Sequence, residues 1–257
     1  MMAERGDYFV QSLARGLAVV RAFDDRHPRL TLSDVARRCA MTRATARRFV
    51  LTLTDLGYLR AEGNTFELTP KVLELGYAYL SGLSLAQIAA PHLKELVARL
   101  NRTASLCLLD GGHVVNVVRV PSNRIIRDNH SVGSRSPAHA TAAGRVLLAA
   151  LPVGGPLPLP DAMPALTPKT LTTRELVEAE LVRVRQDGWA LVEQELAEGL
   201  RFLAVPVRDR DGQVVAAANL NCSQVGPDAS DQECLDALRS TVEHIEAELR
   251  LTGGRPA

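Results

Sequence analysis

The apolar positions of the first seventy residues fall at helical spacing and then switch to strand spacing. Leu13, Leu17, Val20 and Phe23 recur three to four residues apart, which predicts a first helix over Gln11 to Asp24, broken by His27-Pro28. Thr31-Leu32-Ser33-Asp34 reads as an N-cap with an acid three residues on, a weaker form of the capping box. A short helix follows, with Leu32, Val35 and Ala36 inward and Arg37 and Arg38 outward, ending near Cys39-Ala40-Met41. Thr42 caps the next helix, about Thr42 to Leu56, which turns Ala46, Phe49, Val50, Leu53 and Leu56 to one side. Gly57 supplies a left-handed C-cap. Tyr58 to Ala61 and Thr65 to Leu68 then flank Glu62-Gly63-Asn64 as a short hairpin. Helix, tight turn, helix and hairpin in that order make a winged helix-turn-helix; a small helical bundle with a stray hairpin is the alternative.

Beyond this unit the pattern alternates. Thr69-Pro70 is an N-cap followed by proline at the first helical position, opening a helix through Leu80 that Ser81-Gly82 ends. Ser84-Leu85-Ala86-Gln87 is a capping box for a helix to about Leu100, with a kink expected at Pro91. Thr103 to Leu109 and Val114 to Val120 are β-rich and joined at Asp110-Gly111-Gly112. Ala140 to Ala150 is helical, and Val153 to Thr170 is a Pro- and Gly-rich loop. Thr172-x-x-Glu175 caps a helix to Asp187, stopped by Gly188. Trp189 to Val192, Phe202 to Val207 and Val214 to Leu220 are strands, and Ser230-x-x-Glu233 caps a last helix to about Leu251. The result is an α+β chain with an antiparallel sheet in its larger part. The expected divisions are residues 8–69, a linker helix over 70–83, and a domain over 84–252.

Charge sharpens the reading of the first unit. The net charge is only +1, yet Arg26 to Arg60 holds eight arginines against Asp34 and Asp55. The residues after 80 carry 18 basic and 20 acidic groups. A basic segment on a near-neutral chain is the footprint of a nucleic-acid module joined to something else. Arginine is the default base here, 27 against three lysines, so a solvated helix face is the alternative for any one of them. On the second helix of the pair, Ala44, Arg47, Arg48 and Leu51 lie opposite the apolar face, with Arg43 beside them. A recognition helix presents that end to base edges in the major groove, where arginine pairs with guanine. The expected DNA-binding residues are Thr31, Thr42, Arg43, Ala44, Thr45, Arg47 and Arg48, with Arg60 and Asn64 on the wing.

These residues resemble the IclR family of bacterial transcription regulators. The resemblance runs through residues 9–17, Leu32-Ser33-Asp34-Val35-Ala36, Leu53-x-x-Leu56-Gly57-Tyr58-Leu59 and residues 68–76. It returns at residues 140–149 and at Glu195-Leu196-Ala197-Glu198-Gly199-Leu200-Arg201-Phe202 and on to Val207. It implies an N-terminal winged helix, a linker helix and a C-terminal GAF-like effector-binding domain, assembled as a dimer or a dimer of dimers on double-stranded operator DNA. Arg47-Arg48-Phe49 and residues 74–81 look like the branch that controls protocatechuate, 4-hydroxybenzoate and β-ketoadipate catabolism, whereas Ser122 to His139 departs from it.

A small carboxylate is the expected effector. Gly133, Ser134, Arg135 and Ser136 precede a helix start, where backbone N–H groups favour anions. Arg124, Arg127, Arg135 and Arg201 are candidate carboxylate forks, with His139 and Thr141 as pocket donors. Asn219 and Asn221 share one face of the last strand. The alternatives are that Asn221 merely ends the strand, that His139 is structural, and that Arg201, like Arg145, makes a structural ion pair. No catalytic motif of the nucleophile-elbow, zinc-protease or phosphate-loop type is present. The alternative function, a small-molecule hydrolase or isomerase whose N-terminal helices serve oligomerisation, therefore rests on scattered serines and histidines. Cys39, Cys107, Cys222 and Cys234 form no CxxC pair, and the last three sit in apolar runs as small core residues. No cofactor or metal is expected, although the family sometimes carries a metal in its effector domain. No 18-residue apolar run exists and Met1 to Phe9 lacks a signal core, so no membrane partner and a cytoplasmic location are expected.

Overall fold

The computed structural model describes residues 8–75, 84–123, 131–223 and 230–252. The chain divides into two compact units, Met1–Ser81 and Gly82–Ala257.

In the first unit α1 (Gln11–Val20), β1 (Arg29–Thr31), α2 (Leu32–Arg38), α3 (Arg43–Asp55), β2 (Leu59–Glu62) and β3 (Thr65–Leu68) enclose a small core. Val19, Val35, Ala46 and Val50 are fully buried, with Phe23, Leu30, Leu59 and Phe66 around them. The first helix stops four residues before Asp24. The Arg21 amide bonds back to Leu17, and Asp24 and His27 then pair across a tight turn that draws Phe23 inward from outside the helix. Leu13 and Leu17 face solvent, so the apolar stripe of α1 is wider than the core it covers. A complete capping box starts α2, since the Thr31 hydroxyl accepts from the Asp34 amide and the Asp34 carboxylate accepts from Thr31. The turn into α3 needs a left-handed residue, and Ala40 supplies it at φ 50°. Leu56 is exposed rather than inward, because it follows the last helical turn and Gly57 reverses the chain there.

The wing is a three-stranded sheet in the order β1-β3-β2. The pattern missed β1, whose three residues are too few to show alternation. Glu62 pairs with Thr65, so Gly63-Asn64 is a two-residue turn. Thr69 caps a short 3-10 turn (Pro70–Val72) rather than an immediate α-helix, and its hydroxyl donates to the Gly57 carbonyl at 2.6 Å. The part of the expected linker helix over 76–83 lies outside the described residues.

The second unit is a six-stranded antiparallel sheet in the order β6-β5-β4-β9-β8-β7. Its strands are β4 (Ala104–Asp110), β5 (His113–Val120), β6 (Arg135–Pro137), β7 (Ala190–Glu193), β8 (Arg201–Arg208) and β9 (Val214–Asn221). The long helices α4 (Ser84–Leu100) and α7 (Asp231–Thr252) cover one face. Leu106, Leu203 and Leu220 are fully buried beneath them, with Leu93, Leu238 and Ile245 from the helices. The other face is covered by α5 (Ala142–Ala149) and α6 (Arg174–Asp187), in a core that includes Cys107, Val146, Leu148, Leu181, Phe202 and Ala217. Two expectations are corrected. The cap of α6 is Thr173, whose hydroxyl accepts from the Leu176 amide, one residue later than Thr172. The helix expected over Ala140 to Ala150 runs over Ala142–Ala149, because residues 135–137 form an edge strand and residues 138–140 a 3-10 turn ahead of it.

Candidate functional site

On α3 the exposed face is built from the N-cap onward. The Thr42 hydroxyl accepts from the Thr45 amide at 3.2 Å and meets the Thr45 hydroxyl at 2.9 Å. This fixes the first turn, from which Arg43, Ala44, Arg47, Arg48 and Leu51 all face solvent. Behind them Ala46 and Val50 are fully buried and Phe49 lies against Gly16 of α1, which anchors the helix to the core. Thr31 is occupied in capping α2 and donates to Asp34 at 2.7 Å.

The wing arginines are tied down. Arg29 bonds Glu67 at 3.0 Å and Glu62 at 2.9 Å, and Arg60 pairs with Glu67 directly across the strands. The hydrogen bond from Arg60, with the charges of Arg60 and Arg29, holds the Glu67 carboxyl below its usual range. Asn64 sits exposed at the hairpin tip.

In the second unit a small cavity opens between the sheet and the start of α5. Its walls are Ser105 and Cys107 of β4, Val114, Asn116 and Arg119 of β5, Ser136, Thr141, Ala143, Leu196, Phe202 and Asn219. About 30 Å³ of it admits water, room for one or two molecules. Among the described residues no Asp or Glu lines it, whereas Arg119, Ser105, Ser136, Thr141 and Asn219 all offer donors. Asn219 donates to Ser105 at 3.4 Å, and the Cys107 thiol donates to Asn116 at 3.1 Å. Asn116 in turn donates to Ser134 at 3.0 Å. Burial pushes the Cys107 thiol up to about 12, so it stays protonated. The Thr141 hydroxyl caps α5 by accepting from the Gly144 amide at 3.1 Å.

Ser136, Thr141 and Asn219 are thus brought together, with Ser134 behind them. Arg135 turns away to Asp110, Arg201 is gripped by both carboxylate oxygens of Asp231, and Gly133 is exposed. Asn221 is buried and accepts from the Ser223 amide at 2.9 Å. His139 does not line the cavity. Burial pushes its imidazole down, and among the described residues neither ring nitrogen makes a well-formed hydrogen bond. The carbonyl of His139 accepts from Arg145 at 3.1 Å, and Arg145 is neutralised by Glu195 in the core. Arg124 and Arg127 lie outside the described residues.

Ser105, Cys107, Asn116 and Arg119 escaped the sequence reading. Period-2 alternation places Asn116 and Arg119 on opposite faces of β5. A bulge resolves this: Leu106 pairs with Val118 but Cys107 with Asn116, leaving Val117 as an extra residue that brings both polar side chains to one face. The available signal was a lone asparagine inside Val114-Val115-Asn116-Val117-Val118.

No group of three or more His, Cys, Asp or Glu suited to a metal occurs among the described residues, and none of their helices is long and apolar enough to cross a membrane.

Comparison with known proteins gives two matching family models. The IclR helix-turn-helix domain matches residues 12–63, and the bacterial transcriptional regulator IclR C-terminal model matches residues 77–247. The Pca regulon regulatory protein of Pseudomonas putida is 42% identical over 83% of this chain and 74% of its own length. The p-hydroxybenzoate hydroxylase transcriptional activator of Acinetobacter baylyi is 34% identical over 94% of this chain and 92% of its own. Among solved structures, a transcriptional regulator from Rhodococcus sp. RHA1 superposes with a TM-score of 0.79 at 45% identity, covering 94% of this chain and 98% of that one. An IclR homologue of Microbacterium hydrocarbonoxydans in complex with 4-hydroxybenzoate superposes at 0.78 with 26% identity, covering 93% and 99%.

Proposed function

The chain belongs to the IclR family of bacterial transcriptional regulators, and on that premise we propose that its effector is a small carboxylate held in the cavity between the sheet and α5. It is a DNA-binding regulator and not an enzyme. The effector is an aromatic acid such as 4-hydroxybenzoate or protocatechuate, or the ring-cleavage product β-ketoadipate. The observation that carries this is the makeup of the cavity: one arginine, five neutral hydrogen-bonding side chains and, among the described residues, no acid, closed by Phe202 and Leu196. Arg119 holds the carboxylate, Ser105, Ser136 and Asn219 meet its oxygens or a ring hydroxyl, and the Phe202 ring covers the apolar part. The cavity is smaller than such an acid, so binding spreads its walls. The relatives that regulate the Pca regulon and activate p-hydroxybenzoate hydroxylase transcription, and the neighbour bound to 4-hydroxybenzoate, support this choice.

On the DNA side, Arg43, Arg47 and Arg48 of α3, with Thr42, Ala44 and Thr45, read the major groove, and the wing brings Asn64 to the backbone with Arg60 beside it, restrained by Glu67. Thr31 acts behind them through its cap. The protein works in the cytoplasm as a dimer, or a dimer of dimers, on paired half-sites. Titration calorimetry with 4-hydroxybenzoate tests the cavity. Binding that is lost in Arg119→Ala and kept in Arg135→Ala and Arg201→Ala supports the assignment. Equal binding by Arg119→Ala and the parent overturns it.

A further inference from the structure

Three buried groups on the α4/α7 side of the sheet take no part in the cavity. Arg102 leads into β4 and is 5% exposed, and among the described residues its Nε and Nη1 have no hydrogen-bond partner. Cys222 directly follows β9 and is 2% exposed; its amide donates to the Arg201 carbonyl at 2.7 Å. Cys234 lies in the first turn of α7, is 1% exposed, and donates its amide to the Ser230 carbonyl at 3.0 Å. The strand register brings these together: Ala104 pairs with Leu220, and the Asn221 amide donates to the Thr103 carbonyl at 2.9 Å, so Arg102 lies alongside Cys222. The two thiols share a hydrogen bond, and Arg102 sets its positive charge against both.

A buried guanidinium with two nitrogens lacking partners is costly unless a negative charge faces it. Asp231 and Glu233 also lie near Cys234, but their charge opposes ionisation there, and Asp231 is already taken by Arg201. Among the described residues the thiols are therefore the groups that can answer Arg102. The Cys222 S–H donates to Cys234, which pulls the Cys234 thiol down to about 7 against its burial, helped by Arg102. The same bond, and burial, push the Cys222 thiol up. Cys39 and Cys107 differ, since burial pushes both thiols up and keeps them protonated.

We propose that Cys222 and Cys234 form a peroxide-reactive dithiol, with Cys234 as the attacking thiolate held by Arg102 and Cys222 as the resolving thiol. The Cys234 thiolate attacks one oxygen of a hydroperoxide and the O–O bond breaks. A sulfenic acid forms, and the hydroxide or alkoxide that leaves takes up a proton. The Cys222 sulfur then attacks the Cys234 sulfur, the S–O bond breaks, and water departs with the Cys222 proton. Two thiols become one disulfide, and the peroxide is reduced by two electrons to water and water or an alcohol. The bond ties the end of β9, the strand that carries Asn219, to the first turn of α7.

The test uses the full-length reduced chain treated with hydrogen peroxide, blocked with N-ethylmaleimide and cut with trypsin. Residues 211–239 contain both cysteines and no internal lysine or arginine, so both fall in one peptide. That peptide should lose about 2 Da and take up no maleimide. Cys222→Ser should accumulate a Cys234 sulfenic acid that dimedone traps, while Cys234→Ser should leave Cys222 open to maleimide. The parent's rate should level off above about pH 7, whereas oxidation of Cys39, whose thiol burial pushes up, keeps rising through the alkaline range. Arg102→Gln should move that plateau to higher pH. If a variant does not fold, the parent's pH profile decides. Maleimide on both cysteines after peroxide has oxidised Cys39, or a parent rate that climbs in parallel with Cys39, overturns the proposal.

Discussion

Replacing Glu67 with glutamine should strengthen DNA binding by the wing. In the native chain Arg29 and Arg60 both bond this carboxylate, and Glu62 takes a second contact from Arg29, so the four side chains sum to no net charge. Glu67→Gln leaves one positive charge uncompensated and frees Arg60, whose side chain is largely exposed, to reach a phosphate. Each phosphate neutralised steepens the dependence of log K on log salt by about 0.9. One added contact should therefore widen the affinity ratio of variant to parent about 3.5-fold when salt falls from about 200 to about 50 mM. The stability cost should be small, because Arg29 and Arg60 are largely exposed and stay hydrated once the carboxylate is gone. Fluorescence anisotropy of a labelled operator across a salt series reads the slope directly. A slope equal to the parent's would show that Arg60 is not near a phosphate. A shallower one would show that Glu67 presents Arg60 to the DNA instead of holding it back.

Arg43→Ala and Arg47→Ala should each weaken operator binding by about 1–3 kcal/mol if they read bases, and a loss uniform across operator variants in the same anisotropy assay would mark phosphate contacts instead. Glu195→Ala should destabilise the second unit by about 3–5 kcal/mol, because it strands the buried Arg145 with only the more distant Glu180; denaturant unfolding followed by circular dichroism measures this. Gly144→Ala should cost about 3 kcal/mol or more by the same measurement, since the new Cβ would lie 2.1 Å from the Ala138 carbonyl oxygen, backbone that cannot swing aside. Acid should loosen the first unit. The Asp34 carboxyl is held below its usual value by hydrogen bonds from Thr31, so its contribution is present above the unfolded value and is lost as pH falls through the folded one. Asp34→Asn should flatten that acid limb in a melt series from about pH 6 to about pH 3.

The helix-turn-helix was readable because each of its signals is local. Thr31 and Thr42 cap the helix that follows them, Gly57 reverses the chain, and Ala46 and Val50 mark the inward face at helical period. The strands of the larger sheet were readable for the same reason, within a residue or two at their ends. What escaped depends on pairing at long range. β1 and β6 are three residues each and exist only because β3 and β5 lie beside them. The cavity turns on the bulge at Val117, which single-strand alternation cannot show, so Arg119 and Asn116 were passed over. Two of the four candidate arginines, Arg135 and Arg201, have the right chemistry for a carboxylate but meet Asp110 and Asp231, acids 25 and 30 residues away in sequence.

The central proposal is that the protein reads DNA with its first unit and a small acid with its second. Its most direct test is full-length protein on the adjacent intergenic DNA at physiological salt, with 4-hydroxybenzoate, protocatechuate and β-ketoadipate titrated in turn. The parent should retain a specific fragment with an affinity or mobility that one of these acids changes. Arg119→Ala should retain the same fragment without that response. No sequence-specific retention of any flanking promoter, with or without acid, would contradict the account.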